Sequence, residues 1–238
     1  MAPALTLSVI VPAYNEQDTV VDLLERVAAQ SIEGVEIEVI VVDDGSTDET
    51  GERVAKRPDL FRKLIRRPRN GGKGAAVRDG LKAATGDYVL FQDADLEYDP
   101  AEYQALLRPV RAFDADLVLG SRNLAPEYVR VFYFWHLIGN RILTLFFNLL
   151  FNTTFTDIYS CYLLCRRELI DADRLRATGW SQHAEILCTA AGHAKAIYEV
   201  PISYHGRSYG EGKKIRAHHV LPVFLMIAKK RLARLFGG

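Results

Sequence analysis

The sequence predicts an α/β fold, a mostly parallel sheet flanked by helices, with a membrane-facing helical region towards its C-terminal end. Three observations predict it. Apolar runs of strand length alternate with segments of helical periodicity through the first half of the chain. Four of these runs end in polar turns, "PAYNE", "DDGSTD", "DADLE" and "GSRN", and ligands of open parallel sheets bind beyond such carboxyl ends. The second half instead gathers aromatic and basic residues into two apolar stretches.

Taken in order, residues 5–14 read as a strand and 16–31 carry apolar residues at helical spacing. Residues 35–46 begin with alternation and become a continuous buried-strand run. A short helix (47–57), a third strand (60–68) and a helix over 72–85 closed by Gly86 follow. Residues 87–95 are a fourth strand, Pro100 lies near the start of the next helix, and 115–123 are a fifth strand. Residues 128–151 are strongly apolar and aromatic, yet interrupted by Arg130, His136, Asn140, Arg141 and Asn148. The stretch reads as too polar to span a bilayer and very apolar for an exposed helix pair. Residues 218–236 are a second apolar stretch, ending in Lys229, Lys230, Arg231 and Arg234. Basic residues beside an apolar helical face suit a helix lying on a membrane. A core or oligomer interface is the alternative. Without repeats or Pro/Gly-rich linkers, 1–238 reads as one domain.

The 238 residues carry 30 Lys/Arg and 30 Asp/Glu, so net charge identifies no partner and gives no sign of nucleic acid. The distribution is more informative: 56–82 and 205–234 are basic blocks and 87–116 is an acidic one. That sorting suits a site that handles both a cation and anions. Cys161, Cys165 and Cys188 are too few and wrongly spaced for a disulfide framework or a four-ligand zinc site; they read as packed thiols in a reducing compartment. The N-terminus lacks a signal-peptide pattern. The expectation is a cytoplasmic protein, peripheral at the cytoplasmic face of a membrane, of undetermined oligomeric state.

Four motifs carry chemistry. Asp43 and Asp44 end a buried strand before a Gly-Ser turn, where a carboxylate accepts from a ribose or base edge, or merely caps a turn. "RNGGKGAA" (69–76) is a glycine-rich entry to a helix containing Lys73, a possible phosphate cradle that lacks the P-loop pattern. In "DADLE", an extended backbone would turn Asp93, Asp95 and Glu97 to one side, a donor set for a hard cation such as Mg²⁺ or Mn²⁺. Residues 202–219, with Arg207 and Lys213, are long enough to close over a diphosphate.

In this order, "SVIVPAYNE", "VIVVDDGSTD", "RNGGKGAA", "DADLE", "GSRN" and "VPISYHGRSYGEGKK" resemble family-two, GT-A-fold (Rossmann-like) inverting glycosyltransferases. The similarity is to the dolichol- and polyprenyl-phosphate mannosyl- and glucosyltransferase branch and spans residues 7 to 216. It implies that Pro12, Tyr14, Glu16 and Asp44 line the nucleoside pocket with Asp43 beside them, and that Lys73 lies near the nucleotide. Asp93 and Ala94 would contact the nucleotide sugar, Asp95 and Glu97 would hold the metal, and Arg207 and Lys213 would close over the diphosphate. Arg122, helped by Arg130, would receive the acceptor phosphate; Asp95, Arg122 and Arg207 are the implied catalytic groups. Residues 1–123 would be the nucleotide-sugar half and 124–238 the acceptor half. The implied reaction moves a sugar from GDP-mannose or a UDP-hexose to a polyprenyl or dolichyl phosphate. The alternatives are a soluble transferase acting on a saccharide or small-molecule hydroxyl, and a non-catalytic nucleotide-sugar-binding module. The chain departs from the family pattern at Glu97, where Gln is common, at His136, where Ser is expected, and at "DIYSCYL" (157–163), where Cys161 and Leu163 replace Gly and Arg.

Overall fold

A computed structural model describes residues 5–124, 130, 133–207 and 220–236. Seven strands form one sheet: β1 (Leu5–Ala13), β2 (Val35–Asp43), β3 (Lys63–Arg66), β4 (Tyr88–Phe91), β5 (Leu117–Ser121), β6 (Leu163–Arg166) and β7 (Ile197–Pro201). Their spatial order is β3-β2-β1-β4-β6-β5-β7. All pairs are parallel except those of β6, which runs antiparallel between β4 and β5. The mostly parallel sheet is therefore as predicted, and two strands of the second half, β6 and β7, complete the sheet begun by the first.

The helices are α1 (Val20–Ala28), α2 (Thr50–Ala55), α3 (Lys73–Ala83), α4 (Tyr103–Phe113), α5 (Phe134–Phe151), α6 (Gln182–His193) and α7 (Val220–Leu235). In α1 the buried residues are Val20, Leu23, Leu24 and Val27, one stripe at helical spacing facing the core. The inner strands are buried on both faces, with Val9, Ile10 and Val11 of β1 and Val89 and Leu90 of β4 at 0% exposure. This explains their continuous apolar runs.

The fourth strand is shorter than the sequence implies. It ends at Phe91, and the fully buried Gln92, whose N–H still donates to the Ile10 carbonyl of β1 at 3.0 Å, serves as an anchor through its side chain. Its Oε1 accepts from the hydroxyls of Tyr103 and Tyr162, each at 2.8 Å, and its Nε2 donates to the Asp93 carbonyl at 3.0 Å. A buried amide satisfied by two tyrosines fixes the backbone from which the acidic turn departs. Asp99 does what a residue before Pro100 is expected to do: its carboxylate accepts from the Ala101 N–H at 3.0 Å and opens the next helical turn.

The two C-terminal helices contact each other. Phe146 of α5 meets Phe224 of α7 edge-on at 5.0 Å, and Lys230 of α7 reaches Glu185 of α6 at 3.0 Å. The sequence reading that 128–151 is too polar to span a bilayer does not hold for the helix that forms. With only Arg141 charged, α5 is 18 residues long with mean hydropathy 1.2, enough by length and composition to cross a membrane. Its inner face, Leu143, Thr144 and Phe147, is nevertheless buried in the protein.

Candidate active site

Every strand-end motif comes to the carboxyl edge of the sheet, because β1, β2, β4 and β5 point the same way. Pro12 and Ala13 pair with Val42 and Asp43 at the top of β1 and β2, and the Asp44 N–H donates to the Ala13 carbonyl at 2.8 Å. Both acidic residues of "DDGS" are buried and engaged. Asp43 Oδ1 accepts from the Ser46 N–H at 2.9 Å, and its Oδ2 is 3.5 Å from Arg66 Nε. Asp44 pairs with Arg67 and accepts from the Gly71 N–H at 3.0 Å. Gly45, which follows them, has φ +68°, and a Cβ there would lie 2.5 Å from the Arg69 backbone, so only glycine lets the two loops close up.

The glycine-rich turn is correspondingly not a ready phosphate cradle. Gly71 N–H goes to Asp44, Gly72 N–H to Asn70 Oδ1 at 2.9 Å, and Gly74 N–H to the Thr178 carbonyl at 2.9 Å. The turn instead seats α3 against the segment preceding α6, and a Cβ on Gly74 would lie 2.1 Å from the Ala177 carbonyl. Lys73, the first residue of α3, turns to Asp93 and forms an ion pair with it. Burial alone would lower the Lys73 ammonium, but Asp93 raises it above its ordinary value.

The expectation that Asp93, Asp95 and Glu97 converge is met in part: beyond Phe91 the chain bends rather than extends, and Asp95 and Glu97 share one cation while Asp93 pairs with another. Asp93 faces Lys73. Asp95 and Glu97 meet Glu16 around one cation, Arg207. Its Nη2 donates to Asp95 Oδ2 at 2.7 Å, its Nη1 lies 3.3 Å from Glu16 Oε2, and its Nε lies 3.4 Å from Glu97 Oε1. Glu97 also anchors the chain that delivers this arginine, accepting from the Tyr204 hydroxyl at 2.8 Å and the Arg207 N–H at 2.7 Å. Burial, with Asp93 and Glu97 nearby, pushes the Asp95 carboxyl up to about 7 against the pull of Arg207. Three carboxylates thus share one guanidinium. Among the described residues no three His, Cys, Asp or Glu side chains are arranged to hold a metal ion. Asp95 and Glu97 supply two hard oxygen donors, the kind of set that substrate phosphates and water complete around a divalent ion.

Glu16 is further held by Thr19, whose hydroxyl lies 3.2 Å from Glu16 Oε2 and donates to the Ala94 carbonyl at 3.0 Å. Ala94 is therefore buried backbone beside the acidic cluster. Tyr14 is half-buried after β1.

Arg122 occupies a different setting. Its Nε and Nη2 donate to the two oxygens of Asp157 at 2.6 and 2.8 Å, and its guanidinium lies 4.9 Å from the centre of the Tyr204 ring. Asp157 is completely buried and also accepts from Asn140 Nδ2 at 2.7 Å. Burial would raise the Asp157 carboxyl, but Arg122 holds it below the usual carboxylate range. Arg122 is thus bidentately clamped rather than loose at the site mouth. Arg130 donates through Nη1 to the Gly206 carbonyl at 3.1 Å, beside Arg207. Lys213 lies outside the described residues.

Sequence reasoning missed His183 in the first turn of α6, whose Nε2 is buried without a partner, because a lone His carries no motif. It also left Asp157 without a role, although Asp157 orients Arg122.

These motifs match the model for glycosyl transferase family 2 over residues 8–173. The chain belongs to that family. It is 29% identical over 212 residues to a dolichol-phosphate mannosyltransferase of Pyrococcus furiosus, covering 88% of this chain and 59% of that protein. It is 32% identical over 213 residues to the low-salt glycan biosynthesis hexosyltransferase Agl6 of Haloferax volcanii, covering 86% and 49%. A dodecaprenyl-phosphate galacturonate synthase of Rhizobium johnstonii is 28% identical over 254 residues, covering 99% and 71%. The chain therefore spans only about half to three-fifths of the first two relatives. Glucosyl-3-phosphoglycerate synthase of Mycobacterium tuberculosis, solved with Mn²⁺ and uridine diphosphate, superposes with a TM-score of 0.69 at 22% identity, covering 95% of this chain and 80% of that one. The sheet and its flanking helices are those of the GT-A fold.

Proposed function

We propose that this family 2 enzyme transfers a sugar, with inversion, from a nucleotide-diphosphate sugar to a polyprenyl or dolichyl phosphate at a membrane surface. GDP-mannose and UDP-hexoses are the donor candidates. The observation that carries the reading is the sharing of Arg207 among Glu16, Asp95 and Glu97. An acidic cluster balanced by one cationic side chain is a cation site next to a site for anions.

Residues 1–123 hold the donor in this reading, with Pro12, Tyr14, Glu16, Asp43 and Asp44 around the nucleoside and Lys73, Asp93 and Ala94 towards the sugar. Asp95 and Glu97 are assigned to Mg²⁺ or Mn²⁺, whose positive charge when bound neutralises the leaving diphosphate. Arg207 is a cation within reach of the same diphosphate once released from the carboxylates, and Lys213 is assigned beside it. On the acceptor side, 124–238, a phosphate monoester has a second pKa of about 6 and is largely anionic at neutral pH. It needs aiming rather than deprotonation. The Asp157 clamp fixes Arg122 with its Nη1 side turned away from the carboxylate, so Arg122 contributes direction, and Arg130 adds charge.

The lipid reading draws support from α5 and α7. Trp135, Leu145 and Leu149 on one helix, Leu225, Leu232 and Leu235 on the other, and Phe236 just beyond it are exposed. Lys229 and Arg234 lie exposed on the same C-terminal helix. Exposed apolar residues flanked by cations match the interface of an anionic bilayer. The names of the relatives carry the same chemistry, a sugar on a prenyl phosphate.

The test measures nucleoside diphosphate release from GDP-mannose and UDP-glucose with Mn²⁺, comparing a polyprenyl phosphate in anionic vesicles with soluble saccharides and phosphoglycerate. Turnover that requires the prenyl phosphate, with flotation on the vesicles, is expected. Equal or faster turnover on a soluble hydroxyl would overturn the acceptor assignment.

A further inference from the structure

Buried polar atoms are nearly always hydrogen-bonded, so each exception asks for a ligand or a reason. Among the described residues, Asn140 Oδ1, Ser160 Oγ, Gln182 Oε1 and His183 Nε2 are buried without a partner, as is the more remote Glu102 Oε2. The first four belong to residues around the Arg122–Asp157 pair and the first turn of α6. Asn140 is bonded to Asp157 through its other amide atom. Ser160 lies three residues beyond Asp157, and Gln182 and His183 open α6.

His183 is fixed from two directions. Its ring meets Tyr159 edge-on with centroids 6.0 Å apart, and the Tyr159 hydroxyl donates to the Trp180 carbonyl at 2.8 Å. The start of α6 is seated on the glycine-rich turn, since a Cβ on Gly74 would lie 2.8 Å from Gln182 Cβ. The charged groups of Lys73, Asp93, Arg122 and Asp157 all act on the imidazole. Burial, then the Lys73 ammonium, lowers its proton affinity to about 4, while the two carboxylates act in the opposite sense. The ring is neutral at physiological pH.

We propose that His183 is a sugar-specificity residue whose Nε2 hydrogen-bonds a hydroxyl of the transferred sugar. The proposal rests on the transferase reading above and deepens it. A neutral ring brings no charge to a phosphate. A prenyl phosphate at neutral pH offers mainly charged oxygens, and the nucleoside is assigned to Asp43 and Asp44. The sugar is the part of the substrates whose polar groups are uncharged. A hydroxyl both donates and accepts, so it satisfies Nε2 in either imidazole tautomer. The weak basicity of the ring suits it to hydrogen bonding rather than to taking a proton.

The test compares wild type, His183→Ala and His183→Gln by calorimetric titration with Mn²⁺ present. The probes are GDP-mannose, UDP-glucose and the corresponding GDP and UDP. For whichever nucleotide sugar the wild type binds, His183→Ala is expected to lose about tenfold in affinity, the scale of one neutral hydrogen bond with a buried group left unpaired. Affinity for the matching nucleoside diphosphate stays unchanged. His183→Gln, which keeps a donor and an acceptor, retains most of the sugar-dependent affinity, and its thermal midpoint controls for folding. Equal loss for sugar and diphosphate, or no loss at all, overturns the specificity assignment alone. A wild type that binds none of the four probes removes the transferase reading and this assignment with it.

Discussion

Arg122 and Arg207 are both arginines at the carboxyl edge of the sheet, and the fold uses them in opposite ways. Arg122 meets one completely buried carboxylate through two parallel hydrogen bonds, a matched pair that carries no net charge. Arg207 is one guanidinium among three carboxylates, held at 2.7 Å by Asp95 and only at 3.3–3.4 Å by Glu16 and Glu97. The difference teaches where the site stores its freedom. A bidentate buried pair holds direction, whereas an outnumbered cation on a chain segment is a counter-ion that another cation can replace.

The sharpest way to break this comparison is Asp157→Ala. It leaves Arg122 buried without its partner, and the expected loss is about 3–5 kcal/mol of folding stability, read from urea unfolding midpoints. Arg207→Ala, on the shared side, is expected to cost about 1 kcal/mol or less, as for partly exposed pairs. Similar losses in the two variants would erase the distinction.

Next in size is Asp95→Ala, expected to lower metal-dependent turnover by about 10²–10³-fold, the scale on which preorganised charge stabilises a transition state. The fold should survive, because Asp95 is held in a cluster with excess negative charge. Retained turnover would withdraw Asp95 from the metal site. Smaller still is Arg207→Gln. If the guanidinium stands in for a divalent ion, removing it should tighten Mn²⁺ binding in the absence of nucleotide by about tenfold, at effective dielectric constants appropriate to partly buried charges. Weaker Mn²⁺ binding in a titration would mean that Arg207 supports the cation site rather than competes for it.

The parts of this organisation that were legible in the sequence are those governed by periodicity. β1, β2 and the polar turns that follow them are continuous apolar runs with abrupt ends, and Asp99 before Pro100 is a local capping signal. What was not legible depends on contacts between distant residues. β6 is four residues long and owes its place to β4 and β5 on either side. Within α6, Gln182, Glu185, Ile186, Leu187 and Ala190 are all buried, which blurs the helical stripe. Asp93 takes Lys73 as its partner while Asp95 and Glu97 share Arg207, and both cations come from distant parts of the chain. The glycine-rich turn looked like a phosphate cradle, since its motif cannot reveal that Asp44 and Thr178 accept from it. Asp157 had a motif position but no visible partner, and Arg122 lies 35 residues away.

The smallest effect concerns pH and tests the fixed side of the comparison. Burial raises the Asp157 carboxyl, yet Arg122 and then Asn140 hold it below its ordinary value. A depressed carboxylate contributes stability that is fully present above the unfolded-state pKa, about 3.9 for aspartate. That contribution is lost as pH falls through the folded-state value, because the unfolded chain then binds the proton first. Wild type should therefore be more stable than Asp157→Asn from neutral pH down to about 4, with the gap narrowing at lower pH. Salt should scarcely change that gap, since a buried pair is poorly screened. Thermal unfolding of both proteins between about pH 3 and pH 7 checks the sign. A gap that stays constant through the acid range would mean that Asp157 titrates alike in the folded and unfolded chains, and that its hold on Arg122 is geometric without being electrostatic.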